Sequence, residues 1–230
     1  MQENAGEQAP SQPIDHPLFS KLFNWMSGSA RAQRQLDPLR REVIGQARGV
    51  VLEVGAGSGL NFHLYEPGQV ERVEAIEPDA TMLRYARERL DKAPVPITLT
   101  QAPAEALPFA DASFDSVVGT LVFCSVGDPA RALAEIWRVL KPGGALLLFE
   151  HVRAENKAAA RIQTMVTPLT TRMAGNCHWN RDTAQAVAQA GFQITDLRKV
   201  HGGLQPQMVI RAARPAANEQ EAEGAGAERS

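Results

Sequence analysis

Three glycines and one glutamate are the residues whose types and spacing first suggest chemistry. In "VLEVGAGSGLNF", residues 51 to 62, an apolar run meets Gly55, Gly57 and Gly59 at alternate positions. In a doubly wound sheet the turn leaving the first strand passes beneath the ligand, where a Cβ would hold the ligand off or forbid the required φ. Glu77, in "AIEPD", follows 22 residues after Gly55, a spacing at which a carboxylate accepts hydrogen bonds from both hydroxyls of a ribose. A dinucleotide fingerprint would need a glycine where the chain has Leu60, which counts against NAD. No Lys-Ser or Lys-Thr follows the glycines, so a phosphate-cradling P-loop is excluded. An adenosine-bearing ligand remains.

The elements that must hold these residues alternate along the chain. Apolar runs predict strands at 50–54, 71–76, 96–100, 114–119 and 144–149, with helices at about 59–66, 79–91 and 128–140 between them. The helix expected at 59–66 would aim its backbone N–H groups and the positive end of its dipole into the ligand crevice. Pro142, Gly143 and Gly144 mark the boundary between helix and strand. After residue 180 a helix in "NRDTAQAVAQA" is stopped by Gly191, and strand-like segments follow near 192–200 and 207–213. The pattern predicts an α/β fold: a doubly wound, mostly parallel seven-stranded Rossmann-like sheet with helices on both faces. One domain is expected over 14–214, with a helical cover at 14–48, and the polar ends 1–13 and 215–230 are expected to be disordered.

Composition narrows the partner. The 230 residues are 44% hydrophobic and 22% charged, enough for one well-buried core. Lys and Arg total 24 against 26 Asp and Glu, so no global field recruits nucleic acid or anionic lipid, and the partner is expected to be a small molecule. Cys124 and Cys177 form no CxxC pair, which argues for a reducing compartment and against a structural zinc site. With neither a secretory signal nor a run of 18 apolar residues, a cytoplasmic location without a transmembrane segment is expected, and a monomer.

The pieces "VLEVGAGSGLNF", "AIEPDATMLRYAR", "AEALPFADASFDSVV", "TLVFCSV" and "RVLKPGGALLLFEHV", in this order over roughly 45–212, resemble the class I S-adenosylmethionine-dependent methyltransferases of the type 11 group. "CSVGDPARALAEIWRVLKPGG", "EHVRAE" and "GNCHWNRDTAQAVAQAGF" resemble a narrower branch whose animal members are membrane-anchored thiol S-methyltransferases; a soluble bacterial-type relative is the closer picture. The resemblance implies S-adenosylmethionine as cofactor, with Glu53, Gly55, Ala56 and Gly57 at its methionine end and Glu77 on its ribose. Pro78, Asp79 and Met82 would flank the adenosine, although Met82 also reads as a core residue of its helix. Pro103 stands where the family commonly has an adenine-binding Asp, so the backbone at Ala104, with Glu105 nearby, is the alternative contact. Thr120 and Leu121 match the lining of the methionine moiety.

The implied acceptor is small or amphipathic, with a thiol sulfur as first guess and a quinone-type ring carbon or a lipid amine as alternatives. A non-catalytic module that binds the cofactor is the reading from a different class. Methyl transfer from a sulfonium is an in-line displacement that needs no metal and no protein nucleophile. His151, at the carboxyl end of the fifth strand, and His178, in "GNCHWNR", are candidate acid/base residues, or else residues that cap backbone groups. Glu150 either orients an imidazole or closes the strand. Cys124 reads as a small buried hydrophobe, and Cys177 as a wall of the acceptor pocket or plain loop packing. Leu18, Phe19, Leu22, Phe23 and Met26 make an apolar helical stripe that serves as packing, as a lid, or as a face for peripheral membrane contact.

Overall fold

Near-continuous apolar runs belong in the middle of a parallel sheet, because only a strand covered on both faces buries every side chain. In the computed structural model, which describes residues 21, 24, 29–173, 177, 178, 180–201 and 206–216, they take that place. The strands are β1 (Gly49–Val54), β2 (Val70–Ile76), β3 (Ile97–Thr100), β4 (Phe114–Thr120), β5 (Leu140–His151), β6 (Gln193–His201) and β7 (Gln207–Ala213). They form one sheet in the order β3-β2-β1-β4-β5-β7-β6. The first five run parallel, and β7 lies antiparallel to both β5 and β6. The doubly wound, mostly parallel seven-stranded sheet expected from the sequence is therefore present.

Among the described residues the helices that cover it are α1 (Ala30–Ile44), α2 (Ala80–Arg87), α3 (Pro129–Val139), α4 (Lys157–Met173) and α5 (Thr183–Gln189). Neighbouring residues of β1 face opposite cores, as the period of two requires. Leu52 and Val54 join Leu133 and Ile136 of α3 and Val187 of α5, whereas Val51 joins Val43 and Ile44 of α1 and Ala86 of α2. Short polar caps start the helices. Asp79 accepts from the amides of Thr81 and Met82 at 2.7 and 2.9 Å, Asp128 from Arg131 at 3.1 Å, and Asp182 from Gln185 at 3.0 Å.

The chain leaves β1 toward β2 and β3, then crosses back to place β4 on the other side of β1. Such a switch opens a crevice outside the carboxyl ends of β1 and β4, where ligands of this architecture bind.

Two expectations need correction, and one segment left without an element gains one. The helix predicted at 59–66 is a series of turns ending in a single 3-10 turn, Phe62–Leu64. Gly59 has φ +76°, the Phe62 ring packs where its Cβ would be, and Pro67 follows too soon for an α-helix to propagate. No helix dipole points into the crevice from this segment. β5 begins at Leu140, which pairs with Phe114, and Gly143 and Gly144 exchange hydrogen bonds with Arg214 instead of ending the pairing. The segment 157–173, unassigned by pattern, is α4.

Residues 1–13 and 217–230 of the expected disordered ends lie outside the described residues, as do all five residues of the apolar stripe, Leu18, Phe19, Leu22, Phe23 and Met26.

Candidate active site

Each glycine of the first turn meets a different surrounding. A Cβ on Gly55, at φ +64°, would stand 2.2 Å from Cγ2 of Val122, so this glycine lets the β1 and β4 turns touch. Gly57, at φ +55°, has nothing within 4 Å of where its Cβ would be. Only Gly57 fronts open space, which makes it the cradle that the sequence attributes to all three. Between them, Ala56 is buried and donates its amide to the Ile76 carbonyl at 2.9 Å.

Glu77 sits across this opening, just past β2. Its Oε2 accepts the Gly57 amide at 2.9 Å and its Oε1 accepts the Asp79 amide at 3.0 Å. Each oxygen keeps a lone pair for a further donor. Burial pushes its pKa up to about 7, offset in part by those two amides. An open cradle beside a carboxylate with two spare acceptor positions fits an adenosine ribose. Pro78 is half-buried, and its carbonyl accepts from Gln101 Nε2 at 3.0 Å, tying the β2 and β3 ends together. Met82 is buried in the first turn of α2.

Glu53 is turned inward. Asn61 Nδ2 donates to its Oε1 and the Tyr65 hydroxyl to its Oε2, both at 2.8 Å. Burial raises its pKa to about 7, against the pull of Tyr65, Asn61 and Arg40. Asn61 Nδ2 also donates to Thr120 Oγ1 at 2.9 Å, so one amide joins the ends of β1 and β4 across the switch point.

The β4 turn is strained. Leu121 has φ +57°, an unfavourable region for a branched side chain. Its amide donates to the Phe149 carbonyl at 2.7 Å, and Glu150 Oε1 accepts from the amides of Val122 and Phe123 at 2.8 and 3.0 Å. Glu150 is wholly buried, its pKa is raised to about 7 by that burial, and its Oε2 has no hydrogen-bond partner. Glu150 therefore closes β5 by holding the neighbouring turn.

The run 103–109 is clamped from α3. Glu105 Oε1 accepts from the amides of Gly127 and Asp128 at 2.9 and 3.1 Å, and Ala104 is buried beside it. Arg138 donates to the Leu107 and Phe109 carbonyls at 3.1 and 2.7 Å. One oxygen of Glu105 is thus already committed to its own backbone.

The histidines stand at the end of β5 and in the loop before α5. The His178 amide donates to the Cys124 carbonyl at 2.7 Å, and burial, then Arg181, lower the pKa of its ring. Arg181 donates to the carbonyls of Phe123 and Val126 at 2.5 and 2.6 Å. His151 is half-buried, with Nε2 3.3 Å from the Gln207 side-chain nitrogen. Above the glycine turn, Arg89 joins the Ser58 carbonyl at 2.5 Å to Asn24 Oδ1 at 3.2 Å, so part of the expected cover reaches the cradle.

Asn61, Tyr65 and Arg89 were not singled out as site residues by sequence reasoning, and Arg181 entered it only as a cationic neighbour of Cys177 in the acceptor loop. Their hydrogen bonds join separate elements, where no local period reaches. Glu150 carried a signal, a carboxylate ending the apolar run "GALLLFE".

Comparison with known proteins agrees with this geometry. A methyltransferase domain model matches residues 52–148, and an Anamorsin N-terminal model matches 104–214. Human thiol S-methyltransferase TMT1A is 31% identical over 83% of this chain and 79% of its own length. The ubiquinone/menaquinone biosynthesis C-methyltransferase UbiE of Escherichia coli is 30% identical over 70% of this chain and 73% of its own. The [4+2]-cyclase SpnF superposes with a TM-score of 0.66 at 18% identity, covering 81% of this chain and 82% of that one, a likeness of fold alone. No helix among the described residues is long and apolar enough to cross a membrane. With the glycine turn, the sheet order and these relatives in agreement, the chain belongs to the class I S-adenosylmethionine-dependent methyltransferases.

Proposed function

We propose that this enzyme transfers the methyl group of S-adenosylmethionine to a thiol sulfur on a small or amphipathic acceptor. The observation that carries the reading is the reach of the likeness to TMT1A. An alignment over 83% of the chain cannot avoid α4 and the loop of Cys177 and His178, which lie outside the methyltransferase model at 52–148. Acceptor specificity belongs there, because the first four strands serve the cofactor.

In this reading Glu77 accepts both ribose hydroxyls on its spare lone pairs, and Gly57 gives the methionine end its room, with Gly55 and Ala56 holding the turn in place. Pro78 and Met82 flank the adenosine, and the Ala104 backbone contacts adenine with Glu105 fixing the loop. Thr120 and Leu121 line the methionine moiety. Glu53 acts from behind, orienting Asn61 and through it Thr120. The cofactor supplies a methyl carbon already activated by a sulfonium, so the protein contributes alignment and exclusion of water. A thiol with a pKa near ~8.5 needs modest help to ionise. His178, beside Arg181, takes that proton, while His151 lies among sulfur atoms.

The test is S-adenosylhomocysteine release from purified protein offered an alkyl thiol, a quinol and a phospholipid amine in turn. Turnover with the thiol alone is expected. Turnover with the quinol alone would overturn the thiol assignment.

A further inference from the structure

Two cysteines separated by 53 positions in sequence meet at the end of β5. Cys124, in the turn after β4, Cys177, in the loop before α5, and His151, in the last position of β5, bring two sulfur atoms and a ring nitrogen within 4.8 Å of one another. Neither cysteine is in a disulfide, and both are buried. A tetrahedral ion with metal–sulfur bonds of about 2.3 Å and metal–nitrogen bonds of about 2.0 Å sets such donors about 3.6–3.8 Å apart. The three donors need to close by roughly 1 Å at most.

A second observation points the same way. His151 Nδ1 is buried and makes no hydrogen bond, an arrangement that costs free energy unless something accepts or donates there. Gln207 lies at the other ring nitrogen, 3.3 Å away. With its amide oxygen turned to that nitrogen, Gln207 accepts Nε2–H and leaves Nδ1 with a bare lone pair, as in ligating histidines whose other ring nitrogen donates to a neighbouring acceptor. A sulfur-only pairing of the cysteines leaves that nitrogen without a partner. Two thiolates balance a divalent ion, which makes the nearby Arg181 guanidinium tolerable.

We propose that Cys124, Cys177 and His151 form a site for a thiophilic divalent ion, zinc first, with one coordination position open. Among the described residues no fourth His, Cys, Asp or Glu joins the group. Three protein ligands with an open fourth position is the pattern of reactive zinc, whereas structural sites are closed by four. The spacing argument against zinc looked for paired cysteines, and here the donors come from three separate segments. If the acceptor is a thiol, a step that rests on the function proposed above, its sulfur takes the open position as thiolate, displacing water and releasing one proton.

The experiment is titration of the reduced, metal-stripped full chain with Zn²⁺, and with Co²⁺ as a spectroscopic probe. One ion per chain is expected, with sulfur-to-cobalt charge-transfer bands and the visible bands of tetrahedral cobalt. Cys124→Ser and Cys177→Ser should each weaken binding about 100-fold or more, and Gln207→Ala about 10-fold, with circular dichroism checking that each variant is folded. No stoichiometric uptake by the reduced wild type, or binding unchanged in both cysteine variants, overturns the site. A Cys124–Cys177 disulfide in the isolated protein, with no metal uptake after reduction, overturns it as well. Thiol methylation at full rate by metal-stripped protein ends the thiolate step alone and leaves the thiol assignment standing. A loaded site without thiol turnover ends that assignment and leaves the metal.

Discussion

The two halves of the sheet are built on different logic. From β1 to β4 the site is made of backbone: a glycine with open space before it, amides held on Glu77, and a strained turn at Leu121. Around the carboxyl end of β5 it is made of side chains drawn from distant segments: His151, Cys124, Cys177, His178 and Arg181. A backbone site is written in short motifs, because a turn's conformation depends on neighbouring residues. A side-chain site is assembled by tertiary packing and leaves little local trace.

That contrast can be tested by mutation, beginning with the glycines. Gly55→Val forces a Cβ into Val122 at positive φ and should destabilise the fold by about 3 kcal/mol or more, read by chemical denaturation. A cost below about 1 kcal/mol would mean that the β1 and β4 turns can separate freely. Glu150→Ala leaves the Val122 and Phe123 amides without their acceptor. We expect about 2 kcal/mol of destabilisation, less than two lost bonds would suggest, since the buried carboxylate's own desolvation is relieved. Gly57→Ala meets no atom, so its folding cost should be only the conformational ~1 kcal/mol. Its cofactor affinity should nevertheless fall, because the methyl group enters the cradle. Equal effects of Gly55 and Gly57 substitutions on folding would erase the distinction between packing and cradle.

The same carboxylates set a pH dependence. Glu53 and Glu77 have ordinary carboxyl pKa values near 4.5 raised to about 7 by burial. Between those values the unfolded chain binds fewer protons than the folded one, so stability falls as pH rises from about 4.5 to about 7 and levels beyond. Cofactor affinity should run the other way, rising through about pH 7 as Glu77 ionises and becomes a double acceptor. Denaturation midpoints and calorimetry across that range check the two signs.

Much of this was legible in advance. All seven strands were expected within a few residues of where they lie, apart from the early start of β5, because apolar runs bounded by Gly and Pro leave few alternatives. The helix at 59–66 failed because apolar spacing resembled a helix while Gly59 and Pro67 left no length for one. Glu53 was read as a cofactor contact from its place in the motif, and the structure adds Tyr65 and Asn61, each donating to one of its oxygens. Glu105 was read near adenine, and the structure ties one of its oxygens to the start of α3. These protein partners come from outside the motifs that pick out the two residues.

The most direct test of the cofactor half is calorimetric titration of S-adenosylmethionine into wild-type protein and Glu77→Ala. If the carboxylate accepts both ribose hydroxyls, the variant should bind more weakly by about 1.5–3 kcal/mol while remaining folded. Unchanged affinity in a folded variant would contradict the account and move the ribose away from Glu77.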